Sequence, residues 1–366
     1  MEVDRPTLLI RADASVAIGT GHVMRCLALA QGWQDAGGRA VFAMAECTPA
    51  LAERLKSEGM QIVAVQSTPG SESDAGRVAE LANREQAAAL VVDGYGFGAE
   101  YQRAVKQIGR CLLFIDDYGH GRSYVADFVL NQNAHADESF YVSRSEQTKL
   151  LLGPRYAMLR REFWTWRQWQ RKIADSGSRL LLTFGGSDPD NVTTQILAQA
   201  EQIDLPGLEI TVAVGGSNPH LDTLIELQTR SKHSIQIIKD ATNMPELMAW
   251  ADLAISGAGA TCWEMCFLGL PALLIDLAPN QTPIARKLNE LGVARHIGHA
   301  GSLPVTQTAR VAEWLLGSAD VRRKMSHAGR ELVDGRGVMR VFAIMRGIES
   351  LESPGLQEKL AGVRAQ

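Results

Sequence analysis

A short apolar strand, a glycine loop and an apolar-rich helix follow one another at the start of the chain, and this unit limits the folds open to it. Residues 8–10 form the strand, Gly19 and Gly21 lie in the loop, and the helical pattern covers residues 22–35. The first N–H groups of such a helix point outward and can bind an anion, and the glycines let a substrate approach the backbone. The unit predicts an α/β sheet with a ligand site at this loop.

His22 lies at or just before the predicted start of that helix. The positive end of the helix dipole disfavours an imidazolium, and a neutral imidazole near neutral pH can take a proton from water. We therefore interpret His22 as a catalytic general base. A histidine that caps the helix or binds a phosphate oxygen would suit the same position, and spacing alone does not separate these roles.

Strand and helix patterns alternate through both halves of the chain. Runs rich in Val, Leu and Ile, separated by helices, are typical of parallel sheets covered on both faces. The pattern predicts two Rossmann-like, doubly wound domains that face a central cleft. We expect an N-terminal domain over residues 1–155, a linker helix over 156–175, a C-terminal domain over 176–345 and a polar tail over 346–366. Residues 67–76 are expected to be a loop, and residues 150–170 the crossover between the halves.

Composition excludes several classes of function. The 366 residues are 46% hydrophobic and 21% charged with a net charge of −4, so we expect a globular protein and no nucleic-acid partner. The five cysteines are odd in number and lack metal-ligand spacing, which favours reduced thiols in a cytoplasmic protein. No secretory signal or apolar run of membrane-spanning length is found. The sequence has no zinc motif, phosphate-loop lysine or nucleophile elbow, so no cofactor or metal is expected.

The strongest site in the second half is the loop over residues 256–261 and the helix after it. Gly257 and Gly259 would let a diphosphate approach the backbone, and the helix that starts near Thr261 would offer its N–H groups. Glu264 lies one turn further and could accept both ribose hydroxyls of a nucleotide. It could instead simply complement the helix dipole.

Two further loops of the second half follow strand ends. Gly186 and Ser187 form a second possible nest for phosphate oxygens, although Asp188-Pro189 is also an ordinary helix-start signal. Asn280 could hold a water or a sugar hydroxyl, or could merely form a turn.

Three residues of the first half could face the same substrate as His22. Tyr95 follows the strand over residues 89–93 and is expected on the His22 side of the cleft. Asp13 and Arg11 lie at the end of the first strand. Either could orient His22 or bind substrate, or the two could pair with each other.

Several motifs, in order along the chain, resemble the PseG family of UDP-2,4-diacetamido-2,4,6-trideoxy-beta-L-altropyranose hydrolases of pseudaminic acid synthesis. They are IRADAS at residues 10–15, IGTGHVMRCLALA at 18–30, DGY at 93–95, IDD at 115–117, LLGPRYA at 151–157, TFGGSDP at 183–189, GAGATCWE at 257–264 and NQ at 280–281. That family is similar to the glycosyltransferase MurG and has its GT-B fold, with UDP held by the C-terminal domain.

The resemblance implies a role for each matching residue. His22 matches the histidine thought to activate water, and Tyr95 and Asn280 match residues near the sugar. Glu264 matches the ribose-binding acid, with the loop over residues 257–261 beside the diphosphate. The tail beyond residue 350 is long for the family. A GT-B glycosyltransferase and a non-catalytic nucleotide-sugar-binding protein remain alternatives, and the sequence leaves the oligomeric state open.

Overall fold

The computed structural model describes residues 5–15, 17–302 and 306–346, and it confirms the α/β fold class. The described chain forms two compact units. One contains the residues up to Arg161 together with those from Arg336 on, and the other spans Glu162–Gly335.

The first unit is built on a seven-stranded parallel sheet with the order β3-β2-β1-β4-β5-β6-β7. Its central strands contain buried runs rich in Leu, Ile and Val, as expected for a parallel sheet covered on both faces. The strands are β1 Thr7–Ala12, β2 Arg39–Met44, β3 Gln61–Ala64, β4 Ala87–Asp93, β5 Cys111–Ile115, β6 Phe128–Asn131 and β7 Lys149–Leu152.

Five helices of eight or more residues belong to the described part of this unit: α1 Gly21–Asp35, α2 Pro49–Ser57, α3 Glu72–Arg84, α4 Ala99–Lys106 and α13 Gly337–Met345. Helix α13 packs on α1 at Gly32. A Cβ added to Gly32 would lie 2.5 Å from Val338 and 3.0 Å from Phe342, so only glycine leaves room for this close approach. The C-terminal part of the chain thus completes the first unit.

The second unit holds a six-stranded parallel sheet with the order β10-β9-β8-β11-β12-β13. Its strands are β8 Arg179–Thr183, β9 Glu209–Val214, β10 Ser234–Lys239, β11 Leu253–Gly257, β12 Ala272–Asp276 and β13 Ala294–His299. Its helices are α6 Val192–Ala200, α7 Leu221–Arg230, α8 Met244–Trp250, α9 Thr261–Phe267, α10 Thr282–Glu290, α11 Gln307–Gly317 and α12 Ala319–Leu332. Leucines and isoleucines of the sheet and its helices form one buried core.

The structure corrects several expected boundaries. Residues 72–76 are helical rather than loop, because the Ser71 hydroxyl caps α3 by accepting from the Asp74 amide at 3.2 Å. Residues 149–152 are the edge strand β7 and not part of a crossover. Between residues 156 and 175 the α-helix α5 spans only Arg161–Trp164. Residues 336–345 belong to the first unit, whereas we expected them in the second. The expected tail lies, apart from Arg346, outside the described residues.

Candidate functional site

The helix that carries His22 starts just beyond the carboxyl end of the central strand β1. The connecting loop closes with a backbone bridge between Ser15 and Gly19, and Gly19 has a φ of 78°, which favours glycine. Helix α1 begins at Gly21, so His22 lies in its first turn as predicted. Apart from the two chain neighbours of Gly21 and the nearby backbone of its own helix, no heavy atom of the described residues lies within 4 Å of a Cβ built on Gly21, so the backbone there is open to a ligand.

A buried carboxylate holds the imidazole of His22. The Nδ1 atom of His22 lies 2.7 Å from Oδ1 of Asp93, the last residue of β4. Burial opposes ionisation of Asp93, but the positive charge of Arg25 and the hydrogen bonds from Arg25 and His22 outweigh it and lower the pKa of this carboxyl far below its ordinary value. Nη2 of Arg25, which is also a donor, lies 3.2 Å from the same Nδ1. We assign the proton to Nδ1 and the lone pair to Nε2 because the contact with the carboxylate, which can only accept, is the shorter of the two.

Nε2 is therefore the nitrogen of His22 that can take a proton. Within the described part of the chain no hydrogen bond to Nε2 is present, and 9% of the side chain remains exposed. The Asp93 carboxylate also stabilises the imidazolium that forms once Nε2 is protonated. The sequence analysis considered only the helix dipole and missed Asp93, which contacts the imidazole ring directly.

Arg25 fixes Asp93 in place. It lies one turn after His22 on α1, and its Nε and Nη2 atoms donate to the two oxygens of Asp93, each at 2.6 Å. Nη1 and Nη2 of the same guanidinium donate to Oδ1 and Oδ2 of Asp117, at 2.6 and 3.1 Å. Burial opposes the charge of Arg25, yet Asp117 and Asp93 raise its pKa well above the ordinary value. The guanidinium of Arg25 thus links two buried carboxylates to the helix that carries His22.

Tyr95 and Asn133 complete this network through Asp117. The Tyr95 hydroxyl donates to Asp117 Oδ2 at 2.9 Å, and Asn133 Nδ2 donates to Oδ1 at 3.0 Å. Burial works against ionisation of Asp117, but the charge of Arg25 lowers its pKa. The ring of Tyr95 meets that of His22 edge-on, with centroids 4.8 Å apart. The structure therefore brings Tyr95 beside His22.

Asp13 and Arg11 do not orient His22; they pair with each other. Arg11 Nη1 lies 2.6 Å from Asp13 Oδ1, and this oxygen also accepts from the Ala45 amide at 2.6 Å. Arg11 further donates to Asp74 from Nε and Nη2, each at 3.0 Å. The expected contact of Asp13 with substrate stays a prediction.

In the second unit, the loop after β8 is packed closely against its neighbour. A Cβ on Gly215, which follows β9, would collide with the backbone of Gly186. Asp188 caps α6 by accepting from the amides of Val192 at 2.8 Å and Thr193 at 2.9 Å. The helix-start interpretation of Asp188 is thus confirmed. Ser187 is buried, and its contact with a phosphate stays a prediction.

Gln281 links the loops that follow β11 and β12. Its Oε1 accepts from the Ala258 amide at 3.2 Å and from the Leu277 amide at 3.0 Å. The Ala258 N–H therefore already has a partner and is not available to a diphosphate. The sequence analysis noted Gln281 only as part of a motif and assigned it no role.

The remaining predicted UDP residues lie around the same loops. Gly257 ends β11, Gly259 lies in the following turn, and Thr261 is the first residue of α9. Glu264 is half-buried in the first turn of α9, and Asn280 is half-buried in the turn between β12 and α10. Their contacts with a nucleotide remain predictions.

The described residues contain no group of three or more His, Cys, Asp or Glu side chains arranged to hold a metal ion. None of their helices combines the length and apolar character needed to cross a membrane.

Comparison with known proteins links the chain to enzymes of nucleotide-sugar chemistry. Residues 180–316 match the glycosyltransferase family 28 C-terminal domain. Over 78% of its length the chain is 27% identical to the UDP-2,4-diacetamido-2,4,6-trideoxy-beta-L-altropyranose hydrolase of Campylobacter jejuni, and the match covers 97% of that protein. This relative confirms the resemblance to the PseG family.

Two other relatives have less specific names. The chain is 27% identical to the spore coat polysaccharide biosynthesis protein SpsG of Bacillus subtilis over 72% of its own length and 77% of that protein. It is 26% identical to an uncharacterized protein of Methanocaldococcus jannaschii over 73% of its length, and spans only 55% of that protein.

Solved structures establish the GT-B fold. The Acinetobacter baumannii MurG structure superposes with a TM-score of 0.63 at 17% identity, covering 94% of this chain and 99% of the other. The calicheamicin glycosyltransferase CalG4 gives 0.59 at 14% identity, covering 97% and 100%. At these identities the likeness concerns the fold alone.

Proposed function

We propose that this relative of the PseG hydrolases removes UDP from a UDP-linked diacetamido-trideoxy sugar. The substrate class is that of UDP-2,4-diacetamido-2,4,6-trideoxy-beta-L-altrose, and the products are UDP and the free sugar used in pseudaminic acid synthesis. The observation that carries the proposal is the buried His22–Asp93 pair, which leaves Nε2 of His22 as a base.

The reaction is a displacement by water at the anomeric carbon. His22 Nε2 takes a proton from water while the water oxygen bonds to C1 of the sugar. The bond from C1 to the diphosphate oxygen breaks, its electron pair leaves with UDP, and C1 inverts. The imidazolium, stabilised by Asp93, then returns its proton to solvent. UDP is a good leaving group, so no strong acid is needed opposite the base.

The second unit would bind the nucleotide. Glu264 would accept the ribose hydroxyls, and the loop amides of residues 259–261 would face the diphosphate, since that of Ala258 is already used by Gln281. Gly186 and Ser187 would add contacts from the neighbouring loop, and Asn280 would contact the sugar. Donors held in place before the bond breaks stabilise the charge that develops on UDP.

A glycosyltransferase is the second candidate, and the family 28 domain over residues 180–316 is the observation that favours it. Both reactions break the same bond, but a transferase releases UDP only when an acceptor sugar or lipid takes the place of water. Release of one free sugar for each UDP without any acceptor would favour the hydrolase.

The test is to incubate the chain with a panel of UDP-diacetamido sugars and to follow UDP, free sugar and the configuration of C1 by NMR. We expect turnover with inversion, and we expect His22→Asn to reduce it by about 10²–10⁴-fold, the usual contribution of a positioned base. Binding of UDP to His22→Asn, measured by calorimetry, should be unchanged. Full turnover by a folded His22→Asn variant would rule out His22 as the base.

A further inference from the structure

Two exposed tyrosines lie side by side, and one of them, Tyr95, contacts the ring of His22. Tyr95 is 43% exposed and Tyr118 is 42% exposed, although large hydrophobic side chains in this unit are mostly buried. Their ring centroids are 5.4 Å apart, and they follow the adjacent strands β4 and β5. We call this pair the aromatic wall.

His120 supports the wall from behind. Its centroid lies 5.5 Å from that of Tyr95 and 5.7 Å from that of Tyr118, while its own side chain is 9% exposed. Nδ1 of His120 lies 2.8 Å from Oδ2 of Asp116, which also binds the Tyr124 hydroxyl at 2.8 Å. His120 is therefore anchored to the core of the unit.

The backbone of Tyr118 and the side chain of Tyr95 are both held in place. The backbone of Tyr118 donates to Asp116 Oδ1 at 2.7 Å. Tyr95 is fixed at its hydroxyl by Asp117 and stands between two histidine rings, at interplanar angles of 82° to His22 and 81° to His120. Aromatic rings that are rigid and exposed offer apolar area at little cost in conformational entropy.

The position beside His22 indicates what the wall contacts. A sugar whose C1 is attacked by water on His22 lies within a few ångströms of Tyr95, because the two rings are in contact. A tyrosine hydroxyl is neutral near pH 7, and that of Tyr118 adds no charge to repel an anionic nucleotide sugar. Burial and the charges of Asp116 and Asp117 raise its pKa further above the ordinary value. The wall thus suits the methyl groups of a deoxy, N-acetylated sugar.

We propose that Tyr118, together with Tyr95, determines specificity by packing against the apolar substituents of the sugar, above all the methyl group of a 6-deoxy sugar. This inference rests on the proposed function and deepens it. Tyr118 makes no chemical step; it selects a methyl group over a hydroxymethyl group at C6.

The test measures binding, so that it does not depend on turnover. In the His22→Asn background, calorimetry compares UDP-N-acetylglucosamine with its 6-deoxy analogue. We expect the 6-deoxy sugar to bind at least about 5-fold more tightly, the factor given by about 1 kcal/mol for burying the C6 hydroxyl against apolar rings without a hydrogen bond. Tyr118→Ala should abolish this preference and leave the affinity for UDP unchanged, whereas Tyr118→Phe should keep it.

Trp314→Ala is the matched control, because Trp314 is also an exposed aromatic residue, 51% accessible, on α11 of the second unit. It should leave the preference intact. A preference that survives Tyr118→Ala, or its absence from the unsubstituted chain, would overturn the inference. Failure of the proposed function looks different: the unsubstituted chain would release no UDP, while the binding preference would still follow Tyr118.

Discussion

Asp93→Asn tests whether the carboxylate behind His22 is needed for its action as a base. The amide has nearly the shape of the carboxylate, but its NH₂ group can donate to Nδ1 of His22. The proton of the imidazole then moves to Nε2, which can no longer accept one from water. The imidazolium also loses the negative charge 2.7 Å away.

The structure sets the expected size of both effects. Loss of the correct tautomer should reduce turnover by about 10²–10⁴-fold, or about 2.7–5.4 kcal/mol in the barrier. In Asp93→Asn, Arg25 loses the ion pair with residue 93 and keeps the one with Asp117. Breaking a buried pair costs up to about 3–5 kcal/mol, so the free energy of unfolding should fall as well.

Asp74→Asn is the matched control for that loss of stability. Asp74 and Asp93 both have 0% exposure, and each accepts hydrogen bonds from the Nε and Nη2 atoms of one arginine. After Asp74→Asn, Arg11 still pairs with Asp13. After Asp93→Asn, Arg25 likewise still pairs with Asp117. Thermal unfolding by circular dichroism and UDP release well below the melting temperature are measured for each variant. We expect similar destabilisation in both and loss of turnover in Asp93→Asn alone. Equal turnover in the two variants would refute the reasoning.

Two other predictions concern UDP and acid. Glu264→Ala should weaken UDP binding by about 10–100-fold, which corresponds to the loss of one hydrogen bond to a charged group. Glu246→Ala is the control and should leave UDP binding unchanged, because Glu246 is an exposed residue in the first turn of α8. Equal UDP affinities of the two variants in calorimetry would exclude contact between Glu264 and the ribose. The pKa values of Asp93 and Asp117 are lowered in the folded chain, so their contribution to stability is present above the ordinary carboxyl pKa and is lost as pH falls below about 5. Melting temperatures from pH 7 to pH 3 should fall less steeply for Asp93→Asn, and parallel curves would contradict this.

The fold was predictable because strand and helix periodicity recurs throughout both halves. The alternation predicted two parallel sheets, and the sheet orders confirm them. The edge strand β7 was missed because its Leu150–Leu152 run is short and directly precedes Gly-Pro, which suggested a connection. The return of α13 to the first unit could not be predicted, since a helical pattern does not say which sheet the helix packs against.

Much less of the candidate site could be predicted. The position of His22 at the start of α1 was predicted correctly, but its partner was not. Asp93 ends β4, and the sheet order places β4 directly beside β1, the strand that leads to His22. Once that order is known, the Asp-Gly-Tyr motif indicates Asp93 as the partner of His22. Asp117 and Arg25 lay in quoted motifs without a role. Pairing between distant charged residues depends on strand order, which periodicity does not specify.

The discontinuous first unit has a consequence for how the protein is made. Ribosomes deliver the N-terminal residues first, yet Val338 and Phe342, which cover Gly32 on the helix of His22, are among the last described residues to emerge. One apolar side of that helix therefore stays uncovered until the intervening residues have been translated. A nascent chain stalled before residue 336 would present this side to chaperones and proteases.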